Sequence, residues 1–153
     1  MNIYEYAMKV EKEGEEYYRE MATVATNIGL KKIFTMLADE EVKHYNVFKN
    51  MMKKEDMNLE ELDLITDTQT IFQTLNEEKN NVTFDAEQIQ FYKDAIAREE
   101  DAHDFYAEKA NELENEKQKK IFIYIAKEEI KHKQILEEIV SFLEEPAGWV
   151  ASA

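Results

Sequence analysis

Apolar and small residues recur three and four positions apart over most of this chain, the spacing that keeps side chains on one face of an α-helix. Tyr4, Ala7, Met8, Gly14, Tyr18, Met21, Ala22 and Ala25 make such a row, predicting a first helix over about 2–26, with Glu11 standing inside it. Leu30, Ile33, Leu37, Phe48 and Met51 or Met52 predict a second over about 29–54, and here Glu41 and His44 interrupt the apolar row. After a turn-poor stretch, Asp85 reads as an N-cap, and Tyr92, Ala95, Ile96, Ala102, Tyr106, Ala110 and Leu113 predict a third helix over about 85–113, with Glu99 in its seam. Ile121, Ile125, Leu136, Ile139 and Leu143 predict a fourth over about 116–144, carrying Glu129 and His132.

Turns are expected near Asn27-Ile28-Gly29 and near Asn115. Between 55 and 84 the period loosens around a short helix from Thr70 to Glu78, which reads as a crossover. Pro146-Ala147-Gly148 should end the fourth helix, leaving Trp149 to fold back on the bundle or onto a partner. With three glycines and one proline in 153 residues, the expected fold is all-α: one domain over 1–153, a four-helix bundle of two hairpins joined by a long crossover.

The two predicted hairpins are copies. Ala7 to Tyr18, AMKVEKEGEEYY, aligns with Ala95 to Tyr106, AIAREEDAHDFY, and LADEEVKH ending at His44 aligns with IAKEEIKH ending at His132. Glu11 and Glu99, Glu41 and Glu129, and His44 and His132 are each separated by 88 positions, so no insertion separates the two motifs within either copy. An internal repeat of a helical hairpin accounts for this.

Composition narrows the chemistry. A formal net charge of -15 disfavours nucleic acid and anionic membrane surfaces as partners. The absence of cysteine excludes disulfides, thiolate nucleophiles, zinc ribbons and iron-sulfur clusters, so a metal here must take oxygen and imidazole ligands. No apolar run approaches the roughly 20 residues of a membrane span, and the charged start MNIYEYAMKVEKE does not read as a signal peptide, so a cytoplasmic location is expected.

Residues three apart on a helix lie on nearly one face, so Glu41 with His44, and Glu129 with His132, can each act as a two-pronged arm. At roughly 1.5 Å per residue, Glu11 lies about 25 Å before a turn at residue 28 and Glu41 to His44 about 20 to 24 Å after it; Glu99 and Glu129 to His132 match in the same way about Asn115. Carboxylates placed in apolar seams at one height cost several kcal/mol each unless cations compensate. Four glutamates and two histidines suit two iron ions, with manganese the alternative and other divalent metals able to substitute in a purified sample.

Glu11-x-x-Gly14-x-x-Tyr17-Tyr18, Glu41-x-x-His44, Glu99-x-x-Ala102-x-x-Phe105-Tyr106 and Glu129-x-x-His132 together resemble the ferritin-like domain of the rubrerythrin family, over essentially all of Asn2 to Leu143. The resemblance implies Glu11 and Glu99 as terminal or partly bridging ligands, Glu41 and Glu129 as bridges, and His44 and His132 as one imidazole per metal. It implies a di-iron oxidoreductase that reduces hydrogen peroxide or activates oxygen in defence against oxidative stress. Two departures stand out. The cysteine-free chain lacks a rubredoxin module, so electrons must come from a separate donor protein; and Ala102 stands where the family usually carries an extra glutamate.

Other readings stand beside this one. A ferroxidase or iron-storage role is the alternative function, although only about ten residues follow the fourth helix, too few for the added helix of a cage subunit. A metal-free bundle acting through protein contacts is the third. A homodimer is the expected assembly, with exchange of hairpins between protomers open. Tyr18 and Tyr106, two turns beyond Glu11 and Glu99, are candidates to hydrogen-bond a ligand carboxylate. Glu100 and His103 repeat the Glu-x-x-His spacing off the seam, which suggests a flank or surface role for His103. Glu40 and Glu128 read as solvated, with orientation of a histidine as the second reading.

Overall fold

A computed structural model of the chain describes residues 2–53 and 86–144. The crossover with its short helix, the Asp85 cap, the Pro146-Ala147-Gly148 stop and Trp149 lie outside the described residues. Within them the fold is all-α: helices α1 (Ile3–Val24), α2 (Ile28–Met52), α3 (Ala86–Glu112) and α4 (Glu116–Glu144), with no strand. None of these helices is long and apolar enough to cross a membrane.

The chain divides into two compact units, each holding one helical hairpin. In the first, Asn2 starts α1 by accepting a hydrogen bond from the Glu5 amide at 2.8 Å, while its own amide group donates to the Glu5 carboxylate. Ala25 leaves the helix with extended backbone, and Asn27 caps α2 by accepting from the Leu30 amide at 3.1 Å. The turn is therefore earlier than the sequence pattern suggests: because the Asn27 side chain satisfies an N-terminal amide, Ile28 and Gly29 already belong to α2. Lys31 reaches back across the turn to the Ala22 carbonyl at 3.1 Å, supplying a donor to the last turn of α1.

Contacts across this hairpin fix its direction. Glu11 lies by His44, Gly14 by Glu41, and Arg19 by Asp39, so numbers rise on one helix as they fall on the other. The helices are antiparallel. Arg19 also pairs with Glu15 at 3.1 Å, and these ion pairs lie on the exposed face.

The second hairpin is built the same way. Asn115 caps α4 by accepting from the Gln118 amide at 3.0 Å, the counterpart, 88 positions on, of Asn27 and Leu30. Tyr106 meets Phe122 edge to face with ring centroids 6.0 Å apart, and Glu99 lies by His132, again an antiparallel order. The buried positions match the predicted rows: Tyr18, Met21, Leu30, Ile33, Leu37 and Phe48 in one hairpin, Tyr92, Tyr106, Ile121, Ile125, Leu136 and Ile139 in the other. In each hairpin the second helix is buried over the wider arc, and the acids on α2 and α4 sit inside that arc.

Candidate metal centre

Each hairpin carries a buried triad of two glutamates and one histidine. In the first, α1 supplies Glu11, and α2 supplies Glu41 and His44 one turn apart on one face. One ligand atom from each of the three lies within 4.8 Å of the others. In the second, α3 supplies Glu99 and α4 supplies Glu129 and His132, again within 4.8 Å of one another. None of the six side chains belongs to a residue more than 5% exposed.

The antiparallel hairpin explains why the three meet. Residues far apart in sequence but equally distant from a turn come level, and the Asn27 and Asn115 caps set where each return helix begins. The Nδ1 atom of His44 then stands 3.5 Å from Oε2 of Glu11, and Nδ1 of His132 stands 3.4 Å from Oε1 of Glu99. Those separations are long for hydrogen bonds. They are the span of two ligand atoms each about 2.1 Å from a common cation, at an angle of roughly 110°.

The donor set fits a divalent metal for a further reason. Two carboxyl groups and an imidazole, with ligand atoms within 4.8 Å of one another, stand where water is excluded, an arrangement that suits a divalent cation. Oxygen donors with one nitrogen suit iron or manganese, and the missing thiolates leave no competing soft-metal set.

Glu40 and Glu128 correct the sequence reading. Their residues are each 1% exposed, so neither carboxylate lies on a solvated face. The cause is a second buried row beside the triad face: residues seven apart return to nearly the same side of a helix, and Ile33, Glu40 and Val47 on α2, like Ile121, Glu128 and Ile135 on α4, are all buried. The flanking aliphatic residues were the signal for this. Lys131 approaches Glu128 at 3.6 Å from the exposed side of α4.

His103 lies outside both triads, partly exposed, with Nδ1 3.0 Å from Oδ1 of Asp104. Tyr18 and Tyr106 are buried, as are the cores around them, while Tyr17 and Phe105 beside them are partly exposed.

A family model described as Rubrerythrin matches residues 2–140, a span that includes both triads. No match to the chain was found among the curated proteins or among the solved structures.

Proposed function

Because the chain belongs to the rubrerythrin family, we propose that it is a di-iron oxidoreductase that reduces hydrogen peroxide with electrons from a separate donor protein. The observation that carries this reading is the matched pair of buried Glu-Glu-His triads, the second a copy of the first 88 positions on. In this reading the chain has the ferritin-like fold of its family, and its two triads would hold the pair of ions. Glu11 and Glu99 would then be terminal or partly bridging ligands, Glu41 and Glu129 bridging ones, and His44 and His132 one imidazole for each ion.

Two ferrous ions would supply the two electrons that, with two protons, convert one peroxide to two waters, and the donor would return them to the ferrous state. The chain's residues set the conditions for that chemistry. Nδ1 of His44 and of His132 faces a carboxylate, so Nδ1 would be the nitrogen that holds an ion. The aliphatic residues beside the triads, Ile33, Val47, Ile121 and Ile135, are buried and would hold bulk water away from the site. Tyr18 and Tyr106 are buried two turns from Glu11 and Glu99, and in this reading their hydroxyls would hydrogen-bond a ligand carboxylate.

These residues include no cysteine to hold a thiolate-ligated electron relay, and in this reading a separate donor supplies the electrons. A reducing cytoplasm suits a ferrous resting state and such a donor. We assign a homodimer as the working assembly, with exchange of hairpins as the variant form.

The test is anaerobic loading with ferrous iron, metal analysis, and rapid mixing with peroxide or oxygen. Two irons per chain, and ferric absorption rising faster with peroxide than with oxygen, support the proposal. Uptake far beyond two irons per chain into a large particle supports iron storage instead. A Glu41→Ala variant that keeps both irons and their rapid oxidation removes the ligand assignment.

A further inference from the structure

The second helix of the second hairpin carries a large share of the chain's positive charge. Residues 117–133 of α4 hold six of the 19 basic residues, Lys117, Lys119, Lys120, Lys127, Lys131 and Lys133, and only two of the 34 acidic ones, Glu128 and Glu129. Both of those acids are 1% exposed. The outward charge of these turns is therefore positive, on a chain whose formal net charge is -15.

Balancing the buried acids accounts for only part of this. Lys131 approaches Glu128 at 3.6 Å, and Lys133 turns to Glu100 on α3, also at 3.6 Å. Lys120 and Lys127 are exposed and hold no ion pair among the described residues. Like charges four apart, such as Lys127 and Lys131, repel one another and weaken a helix, so nothing within α4 rewards the pattern.

Helical geometry gathers these lysines into a stripe. Lys120, Lys127 and Lys131 fall within about 40° of one another around the axis, on the side away from Glu129 and His132. Ile123, 38% exposed, lies between the first two. At roughly 1.5 Å per residue the stripe is about 16 Å long. The first hairpin does not repeat it: 88 positions earlier Asp39 stands in place of Lys127, and Arg19 holds it at 3.0 Å. The triad residues are the same in both copies, so the metal ligands do not demand this surface.

We propose that the stripe of Lys120, Ile123, Lys127 and Lys131 is the docking face for the electron donor, and that the donor presents an acidic patch to it. This rests on the reading above that a separate protein supplies the electrons. Complementary charge orients an encounter and raises its rate. At physiological ionic strength the screening length is about 8 Å, so the lysines directly beneath a partner outweigh acids elsewhere on the chain. The same turns of α4 carry Glu129 and His132 on the other side, so a docked donor stands about one helix diameter, roughly 10–12 Å, from that triad. Each encounter moves one electron from the donor to the site, and two encounters match the two electrons that one peroxide takes up. A second copy of this chain fits the stripe less well: permanent interfaces are large and apolar, and Ile123 is the one large hydrophobic residue exposed on α4 among the described residues.

Iron-loaded full-length protein is mixed with a plant-type ferredoxin, chosen as an acidic one-electron carrier, and the affinity is measured by calorimetry at low and at high salt. The unaltered chain should bind it, and more weakly as salt rises. Lys120→Glu combined with Lys127→Glu should weaken binding at low salt about tenfold or more. The same pair should slow reduction of the peroxide-oxidised protein by ferredoxin and leave reduction by dithionite unchanged. Lys9→Glu combined with Lys12→Glu on α1 makes the same change in net charge and should alter the affinity less than about threefold.

Iron uptake and reaction with peroxide, together with a ferredoxin affinity that the α4 changes leave alone, overturn the proposal while leaving the functional reading standing. Equal losses in the α4 and α1 variants overturn it too, as does an absence of ferredoxin binding at low salt. An α4 variant that lowers the particle mass in sedimentation but keeps its ferredoxin affinity makes the stripe a contact between copies, and the donor assignment fails. A chain that takes up no iron and does not react with peroxide defeats the functional reading and this inference with it. Should the charge reversals disturb folding, Lys120→Gln with Lys127→Gln decides: binding weakened about threefold or more supports the assignment, and unchanged binding rejects it.

Discussion

Glu41→Gln gives opposite signs with and without metal, and that reversal tests the energetics of the site directly. Glu41 is 2% exposed, and the change removes one negative charge while nearly preserving volume. In the metal-free protein the buried charge is costly, because desolvating a carboxylate costs several kcal/mol after relaxation. We expect the metal-free variant to be more stable than the parent by about 2 kcal/mol, a rise in melting temperature of roughly 4–8 °C for a chain of this size. With metal the order inverts. At a free ion concentration 100 times the dissociation constant, each filled site adds about 2.7 kcal/mol. The variant forfeits one such increment if Glu41 serves one ion and two if it bridges, so the parent becomes the more stable by about 1–3 kcal/mol. The assay is circular dichroism melting of chelator-treated and Mn²⁺-saturated samples of both proteins. A variant less stable than the parent in both conditions would mean that Glu41 is held by protein groups alone, and the argument from buried charge would fail.

Charge reversal separates Glu40 from the surface acids: Glu40→Lys, at 1% exposure, should lower stability by about 3 kcal/mol or more in chemical denaturation, while Glu20→Lys on the exposed face stays within about 0.5 kcal/mol. Phe122→Ala removes a fully buried ring packed edge-on against Tyr106 and should cost about 3–5 kcal/mol in the same experiment. Arg19→Ala breaks pairs with Glu15 and Asp39 that stand in water, so its cost should stay below about 1 kcal/mol and shrink further in 1 M salt.

The helices and the triads were legible because one periodicity carries both. A glutamate at the position where the 3.6-residue row demands an apolar side chain is a conflict visible in the sequence, and Glu11, Glu41, Glu99 and Glu129 are four such conflicts. Glu40 and Glu128 escaped because each sits next to a stronger conflict and belongs to a second, narrower row, Ile33 to Val47 and Ile121 to Ile135, which becomes apparent only when α2 and α4 are allowed a wide buried arc. The Asn27 cap shifted the turn because Gly29 looks like a breaker in sequence, whereas a glycine in the first turn of a helix is tolerated once the amide ahead of it is satisfied. The demand for glycine at position 14 could not be read at all. It depends on Glu41, 27 positions away, whose Oε2 would lie 2.7 Å from a Cβ added at Gly14, and sequence period carries direction but not distance.

The three residues that join α1 to α2, and the three that join α3 to α4, end in asparagines that are themselves copies. Each short connection acts as a ruler for the chemistry some 20 Å away. One added residue would screw the return helix through about 100° and slide it about 1.5 Å, turning a carboxylate and an imidazole out of the interior together while leaving every ligand present in the sequence. These two connections are thus little free to change length, although neither carries one of the six triad residues.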